Sequence, residues 1–320
     1  MKRSFMLAIV VTLIFGLTPA WAQKKDVRLS IATGGTGGVY YPMGGGMANI
    51  LSKHIAYVEA TAEVTSASVD NCLLVGGGKA DMAFVMADVA WDAFQGKGKF
   101  KQKFPIATLA VLYPNNMHFV TLEGKGIEKV QDLKGKRVST GSPGSGTEVK
   151  GLRVLEAYGL DPDKDINRER LGAAESAGAL KDGKIDAYIW DGGIPTASVT
   201  DLGATPGIKM KLISHGDGVP KMVEKYGPIY VKGTIPAKSY PGQDQDASIA
   251  VVWNVLICNS AMKDNVAYDV VKTLFERQPE LIVVHREAAH IKLEPQVHGS
   301  PIPIHPGALK FFKEKGLKFK

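Results

Sequence analysis

Two glycine-rich turns hold the residues of this chain best suited to chemistry. The first, Gly34-Gly35-Thr36-Gly37-Gly38-Val39-Tyr40-Tyr41-Pro42, follows the strand-like run 27–33. The second, Gly141-Ser142-Pro143-Gly144-Ser145-Gly146-Thr147-Glu148, follows the strand-like run 136–140. Each leads into a helical pattern. A strand that breaks at glycines into a helix start leaves backbone N–H groups unpaired and aimed at one spot, which suits an anion. Ser142, Ser145 and Thr147 add hydroxyls, and the amides of Gly144 and Gly146 can approach a ligand closely. A plain helix cap needs only one such hydroxyl, so this turn reads as a binding turn. Tyr40 and Tyr41 are either half-buried core or one of them offers its hydroxyl to a ligand.

Neither turn is a nucleotide site. In a G-x-G-x-x-G frame started at Gly35, Tyr40 falls where the third glycine belongs, and the second turn lacks the Gly-Lys-[Ser/Thr] ending of a phosphate loop. The seven histidines show no zinc spacing, and no Ser/His/Asp or Cys/His arrangement is visible. No metal, no cofactor and no enzymatic reaction are expected. Asp88 and Trp91 follow the strand ending at Met86, and Trp190-Asp191-Gly192-Gly193 follows a partner strand. Asp191 has two open readings, as the acceptor for a ligand amino group or as the cap of a helix starting at Pro195. Asn116 is expected as a further contact.

The elements that must position these residues repeat a grammar. After the first turn come a helix over 43–54, a strand over 63–66 and a short helix ending at Gly76-Gly77-Gly78. Lys79-Ala80-Asp81 then leads into the strand 82–86. After the second turn come a helix over 148–158, a strand near 168–171 and a short helix. Gly183-Lys184-Ile185-Asp186 then leads into the strand 187–190. Glycine after a helix is its usual stop, and strands alternating with helices argue for parallel sheets with crossover connections. Two copies predict two α/β lobes, with a ligand beyond the carboxyl ends of their strands. The run 106–122, broken at Tyr113-Pro114-Asn115-Asn116, leaves the first lobe, and 248–259 leads back. Lobe 1 is therefore expected over 26–116 and 251–320, with lobe 2, 117–250, inserted.

Three hundred and twenty residues suffice for two such lobes. Lys2 and Arg3 precede an apolar run, 5–17, too short to span a bilayer. Ala20-Trp21-Ala22 then supplies a cleavage site, so 1–22 reads as a signal peptide and the mature protein as soluble and periplasmic. The formal charge falls from +7 to +5 when Lys2 and Arg3 leave. Basic clusters at 97–103 and 310–320 lack the aromatic interleaving suited to nucleic acid, and read as solvated surface. A monomer is expected. Cys72 and Cys258 read as free, buried thiols rather than a disulfide.

Taken together, these segments resemble solute receptors of tripartite ATP-independent periplasmic (TRAP) transporters, and among them the TAXI branch (TRAP-associated extracytoplasmic immunogenic proteins). The residues concerned are the export signal, Gly35 to Pro42 of the first turn, Ala80-Asp81-Met82-Ala83-Phe84-Val85, Asp132-Leu133-Lys134-Gly135-Lys136-Arg137-Val138 and the second turn. Gly192-Gly193-Ile194-Pro195-Thr196 and His305-Pro306-Gly307-Ala308 extend the likeness to the C-terminus. The resemblance implies a type II periplasmic binding protein fold, with two α/β lobes joined by two hinge strands and a ligand cleft between them. It implies capture of a small carboxylate (glutamate, glutamine or a dicarboxylate such as 2-oxoglutarate) by lobe closure, and delivery to an ion-gradient-driven TRAP permease. It places ligand contacts at Gly37, Gly38 and Tyr40, and at Ser142, Ser145, Gly146 and Thr147. Where the family often carries a polar run such as Gln-Ser-Asp, this chain has Met86-Ala87-Asp88. A thioether cannot replace an amide's donor and acceptor pair, so Met86 favours a ligand needing fewer polar contacts. The rival readings are a ligand-presenting module for a membrane sensor kinase and a two-lobed exported enzyme acting on a small anion.

Overall fold

The computed structural model describes residues 25–319. The predicted signal peptide, 1–22, lies outside them. The chain runs β1 (Val27–Ala32), α1 (Tyr40–His54), β2 (Val58–Glu63), α2 (Ser68–Gly76), β3 (Met82–Met86), α3 (Ala87–Gln95) and the long strand β4 (Ile106–Leu122). The pattern then repeats as β5 (Arg137–Ser139), α4 (Gly146–Ala157), β6 (Asn167–Glu169), α5 (Ala173–Lys181) and β7 (Ala187–Gly192). After α6 (Ala197–Gly203), β8 (Met210–Leu212), α7 (Val219–Tyr226) and β9 (Val231–Ile235) comes the second long strand, β10 (Ala247–Asn259). Helices α8 (Asp264–Glu276), α9 (Gln278–Val284) and α10 (Pro306–Glu314) follow.

All these strands join in one sheet of order β2-β1-β3-β10-β4-β7-β5-β6, with β8 added to β4 and β9 to β10. β1 is parallel to β2 and β3, and β5 is parallel to β6 and β7. Between these two parallel sets, β10 and β4 run antiparallel to each other and to their outer neighbours. The sequence repeat is therefore a repeat of topology. This is the type II periplasmic binding protein fold: two α/β lobes joined by two long strands.

Helix periodicity sets what is buried. In α8 the buried residues are Val266, Ala267, Val270, Val271 and Leu274, a stripe at three- and four-residue spacing. One apolar cluster gathers α1, α8, α9 and α10 against the first lobe's strands, and another packs residues of α5 and α6 against the second lobe's strands. A third, carrying residues of α2, α3, α4 and α7, runs across both lobes. Cys72 and Cys258 are buried and unpaired. Among the described residues no helix is long and apolar enough to cross a membrane.

The structure corrects several expected boundaries. β4 is not broken at 113–116. It runs through them, and its register against β10 shifts nearby, where Pro114 has no N–H to donate. α1 starts at Tyr40 instead of residue 43, with Pro42 tolerated in the first turn, where its missing N–H has no helical partner anyway. β2 is Val58–Glu63 and not 63–66, because parallel pairing along the whole of β1 fixes it there. β7 continues through Gly192 and α6 starts only at Ala197, so Asp191 lies in a strand and caps no helix.

Candidate functional site

A cleft of about 390 Å³ opens between the lobes, bordered by the starts of α1, α2, α4 and α5. Each helix start presents N–H groups that no helical carbonyl can reach. Two of the four are already engaged. Ser145 Oγ accepts from the Glu148 amide at 3.0 Å, which caps α4. The start of α2 is covered from the opposite lobe, where the Gly144 carbonyl accepts from the amides of Val69 and Asp70 at 3.0 and 3.3 Å. α1 and α5 have no side-chain cap, and residues 34–40 and 170–175 line the cleft. One helix start from each lobe thus retains its first-turn donors and positive dipole end for a ligand.

The lobes touch reciprocally. Each glycine turn is seated on the start of the other lobe's second helix. A Cβ at Gly37 would lie 2.9 Å from Ala174 Cβ on α5, and one at Gly144 would lie 2.6 Å from Asp70 Oδ1 on α2. Gly144 also has a φ of +81°, in the left-handed region. Only glycine lets both turns come this close.

The floor of the cleft is polar and buried. Lys150 on α4 and Asp191 on β7 form an ion pair with no side-chain exposure, Nζ lying 3.0 Å from Oδ2. Lys150 also donates to the Asn115 carbonyl at 3.3 Å. Burial pushes the Asp191 carboxyl up to about 7, against the pull of the Lys150 ammonium. Two more side-chain atoms of cleft-lining residues, Tyr113 Oη and Asn115 Oδ1, are buried without a hydrogen-bond partner. Buried polar atoms nearly always have partners, and these two border the cleft with hydrogen-bonding capacity that no protein group uses. Tyr40 donates its hydroxyl to Asn254 Oδ1, and Asn254 Nδ2 donates to the Tyr113 carbonyl at 3.3 Å. Arg170 borders the cleft with Nε and Nη2 donating to Glu148 at 2.6 and 3.1 Å. Glu148 is buried in the first turn of α4, where a carboxylate complements the helix dipole.

This arrangement offers donors from both lobes, a few acceptors on the floor, and apolar walls from Met86, Leu171 and Trp190. Among the described residues no group of His, Cys, Asp and Glu side chains is disposed to hold a metal ion. The site is built to enclose a small polar molecule.

The chain belongs to the NMT1-like family. The match spans residues 31–316. Solved structures share its fold at low identity. A protein of Bordetella bronchiseptica is 17% identical, with 90% of this chain and 89% of that chain covered and a TM-score of 0.53. A putative L-cystine ABC transporter protein of Listeria monocytogenes is 17% identical over 82% of this chain and 95% of its own, with a TM-score of 0.50. An ancestral arginine-binding protein, solved with arginine bound, is 13% identical over 81% and 97%, also with a TM-score of 0.50.

In this NMT1-like protein, Gly37, Gly38, Tyr40, Met86, Ser142, Ser145, Gly146, Thr147 and Asp191 all line the cleft. Two residues predicted to join them do not. α3 begins directly after Met86 and carries Asp88 round to its far face, where Asp88 accepts from Tyr230 Oη at 2.7 Å. Asn116 turns away because neighbours along a strand face opposite sides. Its Nδ2 donates to the Pro114 carbonyl at 3.2 Å, and Asn115 lines the cleft instead. Tyr40 and Ser145 line it with their hydroxyls already engaged, by Asn254 and by the α4 cap. Tyr113, Asn115 and the segments 65–68 and 170–175 were not anticipated. The last two were within reach of the repeat, since each follows the second strand of its lobe as the glycine turn follows the first.

Proposed function

We propose that this chain is an extracytoplasmic solute-binding protein that captures a small carboxylate by lobe closure. The observation that carries this reading is the pair of uncapped helix starts, α1 and α5, facing one cleft from opposite lobes. They supply N–H donors and positive dipole ends to an anionic group, with the Arg170 guanidinium beside them. Tyr113 Oη, Asn115 Oδ1 and the Asp191 carboxylate are suited to a group that carries N–H donors. Among the candidate ligands this favours glutamate or glutamine over 2-oxoglutarate. Closure excludes water and strengthens each of these hydrogen bonds.

The lobes divide at 26–116 with 251–320, and 117–250, so that β4 and β10 are the hinge. The protein works after export, with residues 1–22 removed. Its partner is an ion-gradient-driven TRAP permease of the kind served by TAXI receptors, on the strength of the Gly35 to Pro42 turn and the other segments that resemble that branch.

A thermal-shift screen of amino acids, dicarboxylates, 2-oxoacids and alkanesulfonates, followed by calorimetry, tests the ligand, because a molecule that binds only the folded state raises the melting temperature. Glutamate or glutamine is expected to give the largest shift. A new product found by mass spectrometry after incubation with any of these would replace binding with catalysis. Uptake into vesicles containing the partner permease is expected to need an ion gradient and no ATP; uptake that stops without ATP would assign an ABC transporter instead.

A further inference from the structure

Away from the cleft, a second polar cluster joins the two lobes. Asp88 and Asp92 lie four residues apart on α3, so both face the same side of that helix. Across from them, on the other lobe, are Arg153 of α4, Tyr226 at the end of α7 and Tyr230 just before β9. Arg153 Nη2 donates to Asp92 Oδ2 and Nη1 donates to Tyr230 Oη at 2.7 Å. Tyr230 in turn donates to Asp88 Oδ2 at 2.7 Å, and Arg153 Nη1 stands 3.6 Å from the same oxygen. The Tyr226 ring covers the guanidinium, 4.4 Å from centroid to Cζ. The side chains of Asp88, Asp92 and Arg153 are 0%, 11% and 10% exposed. One guanidinium thus ties two carboxylates and a tyrosine from opposite lobes.

The chemistry of this contact differs from that of the apolar packing around it. Separating an apolar interface leaves its surface in water at full cost, whereas carboxylates and a guanidinium regain hydration when they part. A contact of this kind can be made and released. α3 starts directly after the cleft-lining Met86 and α4 at the cleft-lining Gly146, so the cluster begins in the first turn of α3 with Asp88 and reaches about two helical turns along α4 at Arg153. The hydrogen bonds and ion pairs that join Arg153, Asp88, Asp92 and Tyr230 are made among themselves and not to cleft-lining residues.

We propose that Arg153, with Asp88, Asp92 and Tyr230, is a releasable latch that favours the closed arrangement of the lobes and so sets ligand affinity from outside the cleft. Arg153 is a positioning residue. The link to affinity rests on the reading of this chain as a two-lobed binder, but closure itself is measured without any ligand, so the two readings fail separately.

The amides of Val69 and Asp70 report closure directly, because both donate across the cleft to the Gly144 carbonyl. Hydrogen exchange of the purified protein, followed residue by residue by NMR, compares them with the Ile257 amide in the middle of the sheet. In Arg153→Gln, exchange at Val69 and Asp70 is expected to speed up by about tenfold or more, with Ile257 unchanged and a larger radius of gyration by X-ray scattering. Asp88→Asn with Asp92→Asn is expected to act in the same direction and to add little on top of Arg153→Gln. Arg153→Lys should recover part of the protection. Unchanged exchange at Val69 and Asp70 in Arg153→Gln would overturn the proposal. So would equal acceleration at all three amides, which would make the cluster a general support of the fold.

Discussion

Asp186 holds the start of β5 as Asp81 holds β1. Asp186 Oδ2 accepts from the Arg137 amide at 3.0 Å, and the Asp186 amide donates back to the Arg137 carbonyl at 2.8 Å. Asp81 Oδ2 accepts from the Ser30 amide at 2.8 Å, and its own amide donates back to the Ser30 carbonyl at 3.2 Å. Ser30 and Arg137 each stand four residues before the first glycine of a cleft turn. The two aspartates that follow Gly-Lys therefore set the register of the strand that delivers each turn to the cleft.

Replacing either aspartate by alanine leaves a strand amide without its acceptor. Asp81→Ala and Asp186→Ala are each expected to cost about 1–3 kcal/mol in urea unfolding, and the double variant about their sum, since the sites lie in different lobes. Asp186 has a further signature. Its hydrogen bonds to the Arg137 side chain and amide hold its carboxyl well below the usual carboxylate range. Its contribution is therefore complete above the unfolded value near 3.8 and lost as pH falls through the lower folded value. Asp186→Asn should shrink the loss of stability below pH 4, and an unchanged acid limb would refute the assignment.

Gly146 is another point where the lobes meet beside the cleft. A Cβ there would stand 2.7 Å from Ser68 Oγ and closer still to Met86 Sδ. Overpacking of this kind costs about 1–3 kcal/mol, so Gly146→Ala should weaken ligand binding by about 5- to 150-fold in calorimetry. Adding Met86→Ala removes the flexible end that is in the way and should restore most of the affinity. A double variant no better than Gly146→Ala would show that this contact does not limit closure.

The Tyr113 hydroxyl is buried with no partner of its own. Without ligand, Tyr113→Phe removes an unpaired polar group and is expected to leave stability unchanged or raise it by about 1 kcal/mol. With ligand it should lower affinity by about 5- to 10-fold, the worth of one hydrogen bond. Paired thermal melts and calorimetry read the two effects, and equal affinity of Tyr113→Phe and the parent would take the hydroxyl out of the site.

His215 and His118 sit in the second lobe with their pKa values pushed down by burial, to about 3 and about 4. Both stay neutral in the folded chain while the unfolded chain takes up protons near 6.5. Their contribution is thus present above pH 6.5 and is lost as pH falls through the folded values, at about 1.4 kcal/mol for each unit between folded and unfolded values. His215 packs against Phe119 in a tilted arrangement, 4.6 Å between centroids, and its Nε2 has no hydrogen-bond partner. His215→Phe should therefore flatten the decline in unfolding free energy between pH 6.5 and 4.5. The same slope in variant and parent would be the contrary result.

Much of the fold was legible because its signals are local. Gly76 to Gly78 and Gly183 stop helices, Asp81 and Asp186 follow them, and the apolar runs become β3, β7 and β10 within a residue or two. The hidden parts depend on distant partners. Val58 to Glu63 becomes β2 because β1 pairs with it along its whole length. Tyr113 to Asn116 looks like a break, yet pairing with β10 over Pro114 to Asn116, and with β7 from Asn116 onward, carries β4 through it.

By itself the sequence determined the two turns, the fact that each leads into a helix, and the repeat that places one in each lobe, because glycine spacing and hydrophobic period act within a few residues. Tertiary structure decided which side chains face the cleft. Strand alternation chose Asn115 over Asn116, and the helix that begins after Met86 turned Asp88 toward Arg153 on the opposite lobe. The approach of the lobes covered the start of α2 with the Gly144 carbonyl and left α1 and α5 open. Those outcomes depend on contacts between residues far apart in the chain, and no local pattern encodes them.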